Sequence, residues 1–310
     1  MYFHRRPLSD DPFATFGKKR SVYHDFFRHG TDLGFDMFVA SGKEHYLPPL
    51  TFTDAYRYDG TTFESYGRVD ADAIYDRSGG MTFPMEEIGF KTLNNIGFKR
   101  LCNDKNAMQE LLGTFMPKNF PITGPESLAA GIRELRNCKL AVLKPSKGMQ
   151  GKGIIIDRPE RLVTTVLEDK TEYCLQEFID TSKGIPGIID RHHDLRIVIV
   201  NGEIVLCHVR SPKEGSLLAN VAQGGSIREV PLTDIPEFII DRATSIQDII
   251  DERFDYPLYS IDFGIHDGRI PYVFELNDQI GFPSEDMHHA LFIDRLIRSL
   301  EKRTARDGLR

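Results

Sequence analysis

Asp262, Glu275 and Asn277 are the residues of this 310-residue chain whose types and spacing best suit joint chemistry. Asp262 interrupts the apolar run 259–265, and Glu275-Leu276-Asn277 closes the run 270–277, with Asp267-Gly268 between the two. Asp-Gly is a two-residue hairpin signal. On such a turn Asp262 lies opposite Val273. Alternation then puts Asp262, Glu275 and Asn277 on one face and Ile261, Phe263, Phe274 and Leu276 on the other. Two carboxylates and an amide oxygen within diagonal reach across a hairpin form a hard-oxygen set suited to magnesium beside phosphate. A solvated sheet face is the plainer reading of the same pattern.

The stretch 146–153, Ser-Lys-Gly-Met-Gln-Gly-Lys-Gly, is the second candidate. Gly148, Gly151 and Gly153 free the backbone to approach phosphate oxygens, while Lys147 and Lys152 supply charge. It is not a Walker A loop, because Gly153 follows Lys152 where Ser or Thr is required. Nor is it a dinucleotide fingerprint, because a β-like run follows where a helix should open. Read by itself it is a surface hairpin. Lys144 ends an apolar strand before Pro145, and Lys105 stands at the start of a helix. Asp194-Leu195-Arg196 opens one strand, Arg210 ends its partner, and Asn220, Gly224-Gly225 and Arg228 follow on a polar loop. Each of these is ordinary surface when taken singly.

The elements that must position them are legible from periodicity. Runs 36–40 and 73–76 read as strands and 22–33 as a helix, which suggests a small α/β unit with a parallel sheet. Asn103 can cap a helix through Met108 to a stop at Gly113. A strand at 140–144 and another at 154–156 flank the glycine-rich stretch. Runs 195–200 and 203–209 flank Asn201-Gly202, a hairpin signal. Ile235, Phe238, Ile239, Ile246, Ile249 and Ile250 recur at helical spacing. A closing helix spans 287–300, with Ser284 as its cap.

Composition bounds the rest. Forty per cent apolar and 27% charged residues describe a globular chain with room for two or three subdomains. A net charge of -7 gives no basic field for nucleic acid. Four dispersed cysteines, none in a C-x-x-C pair, fit reduced thiols packed as small apolar residues. No apolar run approaches the roughly 20 residues of a membrane helix, and no apolar segment follows the basic start as in a signal peptide. Cytoplasm is the expected compartment.

The ordered set Asn103-Asp104-Lys105, Leu143-Lys144-Pro145, the stretch 146–153, Gln176-Glu177-Phe178-Ile179, Asp194-Leu195-Arg196, Arg210, Asn220, Gly224-Gly225, Asp262 and Glu275-Leu276-Asn277 resembles the ATP-grasp superfamily. The branch it resembles most is that of bacterial glutathione synthetase and the RimK-type ligases, with matches from about residue 95 to 281. The resemblance implies an α/β (α+β) fold: a pre-ATP-grasp domain at 1–102, a lid subdomain at 103–179, and a subdomain at 180–310 carrying the metal and substrate site. It implies that Lys105 and Lys144 hold ATP phosphates, with Ser146, Lys147, Gly148, Gly151 and Gly153 in a loop that closes over them. Gln176, Glu177, Phe178 and Ile179 would follow the adenine, and Asp194 the ribose. Asp262, Glu275 and Asn277 would hold one or two magnesium ions, with manganese as a substitute. Arg196, Arg210 and Asn220 would face the acceptor carboxylate. The implied reaction joins a small-molecule or peptide carboxylate to an amine or amino acid through an acyl phosphate, releasing ADP and phosphate. A non-catalytic ATP-binding module and a small-molecule kinase are the alternatives. No nucleic acid or membrane partner is implied, and relatives are often dimers or tetramers. The stretch 181–193, with its His192-His193 pair, departs from the family pattern.

Overall fold

Alternation of apolar and polar residues builds the largest sheet. A computed structural model of the protein describes residues 1–78, 89–148, 153–217 and 224–304. Five antiparallel strands run in the order Ser226–Glu229, Glu203–Ser211, Asp194–Val200, Tyr259–His266, Ile270–Asn277. Leu195, Ile197, Ile199, Cys207, Val209, Ile261, Phe263 and Leu276 are buried on one face. They pack with Ile239, Ala243, Ile246 and Ile250 of helix Glu237–Asp251 and with Met108 and Leu112 of helix Lys105–Leu112. Each such side chain contributes about 1.5–3 kcal/mol of burial. The other face carries Asp194, Arg196, His208, Arg210, Ser260, Asp262, Glu275 and Asn277.

The Asn201-Gly202 turn forms as expected, both residues having positive φ, 53° and 77°. The second hairpin differs from expectation. His266 pairs with Ile270, one residue out of the two-residue register, and a further irregularity falls between Asp262 and Phe263. Asp262 therefore faces Glu275, not Val273. Val273 takes the core position opposite Phe263, and Phe274 turns out of the core.

A second antiparallel sheet runs Asn119–Ile122, Tyr173–Glu177, Ala141–Pro145, Ile155–Asp157. Leu143 pairs with Ile155, so the glycine-rich stretch joins two antiparallel strands. Its residues 149–152, including Gly151 and Lys152, lie outside the described residues, as do Asn220 and the rest of 218–223.

The N-terminal part keeps the expected parallel pairing only in part: Tyr2–Phe3 pairs in parallel with Phe38–Ser41, Tyr2 bridges Asp76 in parallel, and Ile74–Tyr75 pairs in parallel with Thr92–Leu93. Its sheet runs Tyr2–Phe3, Phe38–Ser41, Ala55–Tyr58, Phe63–Ser65, and only the first pair is parallel. Ala55–Tyr58 and Phe63–Ser65 are joined by residues 59–62, too short for the crossover that parallel pairing needs. Helix Arg20–Asp32 buries Tyr23, Phe26 and Phe27. Tyr23 stacks on Phe282 with centroids 4.0 Å apart, tying this helix to the segment after strand Ile270–Asn277. Asn94 adds a second tie: its amide accepts from Leu258 N at 2.7 Å and donates to Leu258 O at 2.5 Å.

Two helix starts also shift. Asn103 ends helix Ile96–Asn103, and Asp104 is the cap, accepting from the amides of Asn106 and Ala107 at 3.0 and 3.3 Å. A carboxylate there gains the charge-assisted form of the same bond. The closing helix is Ala290–Thr304 and begins well past Ser284. No helix among the described residues is long and apolar enough to cross a membrane.

Candidate active site

A cleft opens between the two sheets. Val142, Ile154, Ile156, Phe178, Ile179 and Phe274 give it apolar walls. Lys105, Lys144, Gln176 and Glu177 line it from the four-stranded side, and Asp194, Arg210 and Glu275 from the five-stranded side.

Its lysines are unusual. Lys105 and Lys144 are each only 7% exposed, and neither has a carboxylate partner among the described residues. The Lys105 ammonium donates to Gly148 O at 2.9 Å and Ser146 O at 3.5 Å. The Lys144 ammonium donates to Gln176 Oε1 at 2.9 Å. Burial holds the Lys105 ammonium below its usual range, with Glu275 opposing and Lys144 adding to the shift. Two buried cations satisfied only by neutral acceptors leave charge for an anion to match.

Asp262 is fully buried and clamped. Arg196 donates Nε to Oδ1 at 2.7 Å and Nη2 to Oδ2 at 2.6 Å. Arg210 Nη2 donates to Oδ2 at 2.7 Å and also to Asp194, while Asn277 Nδ2 reaches Oδ2 at 3.0 Å. Burial by itself would raise the Asp262 carboxyl, but the two guanidiniums hold it well below the usual carboxylate range. Burial pushes Asp194 up to about 7, Arg210 opposing and Asp262 reinforcing. Glu275 faces Asp262 across the hairpin, and its only hydrogen bond among the described residues comes from Asn277 Nδ2, at 3.3 Å.

Phe274 lies on Gly264. An ideal Cβ at Gly264 would fall 2.0 Å from Phe274 Cζ, so the glycine leaves room for the ring. The sequence reading put Phe274 in the core; the register shift brings it to the cleft.

The structure gathers Lys105, Lys144, Gln176, Glu177, Phe178, Ile179, Asp194, Arg210 and Glu275 around one cleft, with Arg196, Asp262 and Asn277 beside it. Lys147 is apart from them: its exposed ammonium pairs with Glu172 at 3.2 Å. Ser146 is fully buried, its Oγ without a partner among the described residues and its carbonyl accepting from Lys105 N at 3.0 Å. Gly148 and Gly153 have φ of 136° and 73°, conformations that suit glycine.

His193 was not foreseen in a role. It lines the cleft with Nδ1 3.1 Å from Arg191 O and Nε2 accepting from Ile265 N at 3.3 Å, which fixes a neutral Nδ1–H ring. Burial pushes its pKa down to about 4. All four cysteines are free, and burial raises every thiol, so none has nucleophile character.

Known proteins resemble this chain in sequence and in fold. Residues 106–298 match the family model described as a RimK-like ATP-grasp domain. A probable alpha-L-glutamate ligase of Legionella pneumophila (strain Corby) is 29% identical over 156 residues, 48% of this chain and 49% of that protein. Human N-acetylaspartylglutamate synthase A is 25% identical over 209 residues, 65% of this chain and 50% of that one. The chain thus spans about half the length of these curated relatives. Among solved structures, the ATP-grasp ligase PsnB with minimal precursor superposes with a TM-score of 0.56 at 14% identity, covering 92% of this chain and 96% of that one. That likeness is one of fold.

Proposed function

Because this chain belongs to the RimK-like ATP-grasp family, we propose that it is an ATP-dependent ligase that joins a carboxylate to an amine through an acyl phosphate. The observation that carries the reading is the pair of buried ammonium groups, Lys105 and Lys144, facing an apolar-walled cleft with no carboxylate ion-paired to either among the described residues. A polyphosphate supplies that missing charge, and a flat base fits between Ile156, Phe178, Ile179 and Phe274. On this reading the backbone from Gln176 to Ile179 follows the adenine and Asp194 stands by the ribose. The stretch 146–153 closes over the phosphates and excludes water that would hydrolyse the acyl phosphate.

The donor set tests the expected metal. Glu275 offers a carboxylate without an ion pair and Asn277 an amide oxygen, both hard donors that fit magnesium or manganese. Asp262 fits less simply, since Oδ2 already accepts three hydrogen bonds. Bound there, one or two such ions would offset charge on the transferring phosphoryl group. Arg196 and Arg210 orient the acid and stabilise the oxyanion that forms when the amine attacks. Asn220, assigned to the same task from sequence, lies outside the described residues.

The test is ADP release from ATP with candidate acids, with and without amines, followed by product mass. Release that needs both substrates and yields an amide supports the ligase. Release indifferent to the amine, with a phosphorylated product, identifies a kinase, and no release across the panel identifies a binding module.

A further inference from the structure

The Asn277 amide stands beside the two carboxylates of its hairpin with the NH2 end toward them. Nδ2 donates to Asp262 Oδ2 at 3.0 Å and to Glu275 Oε1 at 3.3 Å. Asp262 Oδ2 also accepts from Arg196 and Arg210, whereas Glu275 accepts no other hydrogen bond among the described residues. One NH2 group thus engages both of the carboxylates that the metal reading requires.

That orientation and a cation shared by Asp262 and Glu275 exclude each other. An amide NH2 is a donor only, and the acceptor end of the side chain is its oxygen. Half a turn about the last side-chain bond exchanges the two ends, and that torsion is broad and two-fold, so the turn is cheap. It would free Glu275 Oε1 altogether and relieve Asp262 Oδ2 of one of its three hydrogen bonds. The crowding that makes Asp262 the least simple of the three ligands would then be reduced.

The displaced NH2 needs an acceptor, and the sheet offers one. Ser260 lies directly opposite Asn277 across the hairpin, on the same face as Asp262. It is fully buried, and its Oγ has no hydrogen-bond partner among the described residues. Residues directly opposite on antiparallel strands have Cβ atoms about 4.5–5.5 Å apart, a span that a serine and an asparagine bridge with one hydrogen bond. On its other side Ser260 faces Val198, which has no polar side-chain atom to give. A buried hydroxyl without a partner is costly, and such a group calls for an explanation.

We propose that Ser260 is a positioning residue for the metal site: Asn277 turns its amide over to present Oδ1 to a divalent cation, and Ser260 Oγ receives the Nδ2 that leaves Asp262 and Glu275. The partner of a metal ligand fixes the orientation of that ligand, and here it fixes which end of the amide faces the cation. This rests on the reading of Asp262, Glu275 and Asn277 as magnesium ligands, and the test separates the two.

The readouts are the Kd of a fluorescent nonhydrolysable ATP analogue, with EDTA and with magnesium, and thermal melts of the free protein. Ser260→Ala should keep the wild-type Kd in EDTA and cut the magnesium-dependent gain in affinity about tenfold, the scale of loss when the partner of a metal ligand is removed. Its free form should melt at the wild-type temperature or above, because the hydroxyl removed is buried and unpartnered. A serine with a merely structural role would lower it. In an Asn277→Asp background, where a carboxylate oxygen replaces the amide and no NH2 has to be placed, Ser260→Ala should change the gain by less than about twofold. The proposal is overturned if Ser260→Ala keeps the full gain, if it lowers the melting temperature of the free protein, or if it costs as much in the Asn277→Asp background. Glu275→Gln reports on the site itself. A gain lost there but kept in Ser260→Ala retains the metal reading and removes only the role of Ser260, while no gain in wild type, or a full gain in both variants, removes both.

Discussion

Replacing Gly264 with alanine tests how the cleft is built. The new Cβ would stand 2.0 Å from Phe274 Cζ and 2.6 Å from Cε1 and Cε2. Carbon contacts settle at about 3.5–4.0 Å, so the ring must retreat by roughly 1.5 Å. It lines the cleft, and that is where it will go. Overpacking of this kind costs about 1–3 kcal/mol, and each kcal/mol lowers the melting temperature by about 2–4 °C in a protein of comparable size. The displaced ring also narrows the slot assigned to adenine, so the nucleotide Kd should rise about tenfold, or about 1.4 kcal/mol. Thermal melts and a fluorescent-nucleotide titration measure both. Gly264→Ala combined with Phe274→Ala should cost less than the two changes added together, because the second removes what the first collides with. Wild-type melting and affinity in Gly264→Ala, or strict additivity in the pair, would refute the reasoning.

Lys144→Met should weaken nucleotide binding at least tenfold while leaving the melting temperature of the free protein equal or higher, since a buried unmatched ammonium is costly; Lys147→Ala, at the surface, should change neither. Glu275→Gln should abolish ADP release at limiting magnesium with little loss of stability, whereas Asp262→Asn should also lose about 3–5 kcal/mol in urea unfolding, because two buried guanidiniums lose their counter-charge. The pKa of His193 falls from 6.5 to about 4 on folding, so between those values the unfolded chain binds the extra proton. Stability from this residue is full above pH 6.5, is lost as pH falls toward 4, and amounts to about 3 kcal/mol. Urea midpoints across that range should be flatter in His193→Gln, and an unchanged slope would mean that the imidazole is not buried neutral.

Most of the cleft was legible because it sits on regular elements. Alternation in 259–265 and 270–277 put Asp262, Glu275 and Asn277 on one face, as they stand in the sheet, whereas Arg196 and Arg210 were pointed to by the resemblance. The misses have local causes. Phe274 was assigned to the core because a bulge leaves no mark in the hydrophobic pattern. The Asp104 cap was assigned to Asn103 because both are good caps and only the preceding helix decides between them. The N-terminal sheet was expected to be parallel from helix–strand alternation; the strands at 38–41 and 74–75 do pair in parallel, but the short turn at Asp59-Gly60 returns Phe63–Ser65 antiparallel. Asp262 was read as a free ligand because a sequence shows which charges exist but not which of them neutralise one another.

The hairpin that bears Asp262 and Glu275 behaves like a compensated frameshift in space. The turn slips the pairing by one residue and the bulge slips it by one more, so their sum restores parity and returns the two carboxylates to the same side. At constant sequence neither irregularity can be smoothed out alone. Smoothing out the bulge without removing a residue would set Glu275 opposite Ile261, on the core face, and Leu276 opposite Ser260, on the polar face. Drift in this hairpin is therefore confined to paired events, and a loop that looks permissive by its Asp-Gly sequence is locked to an irregularity six residues away.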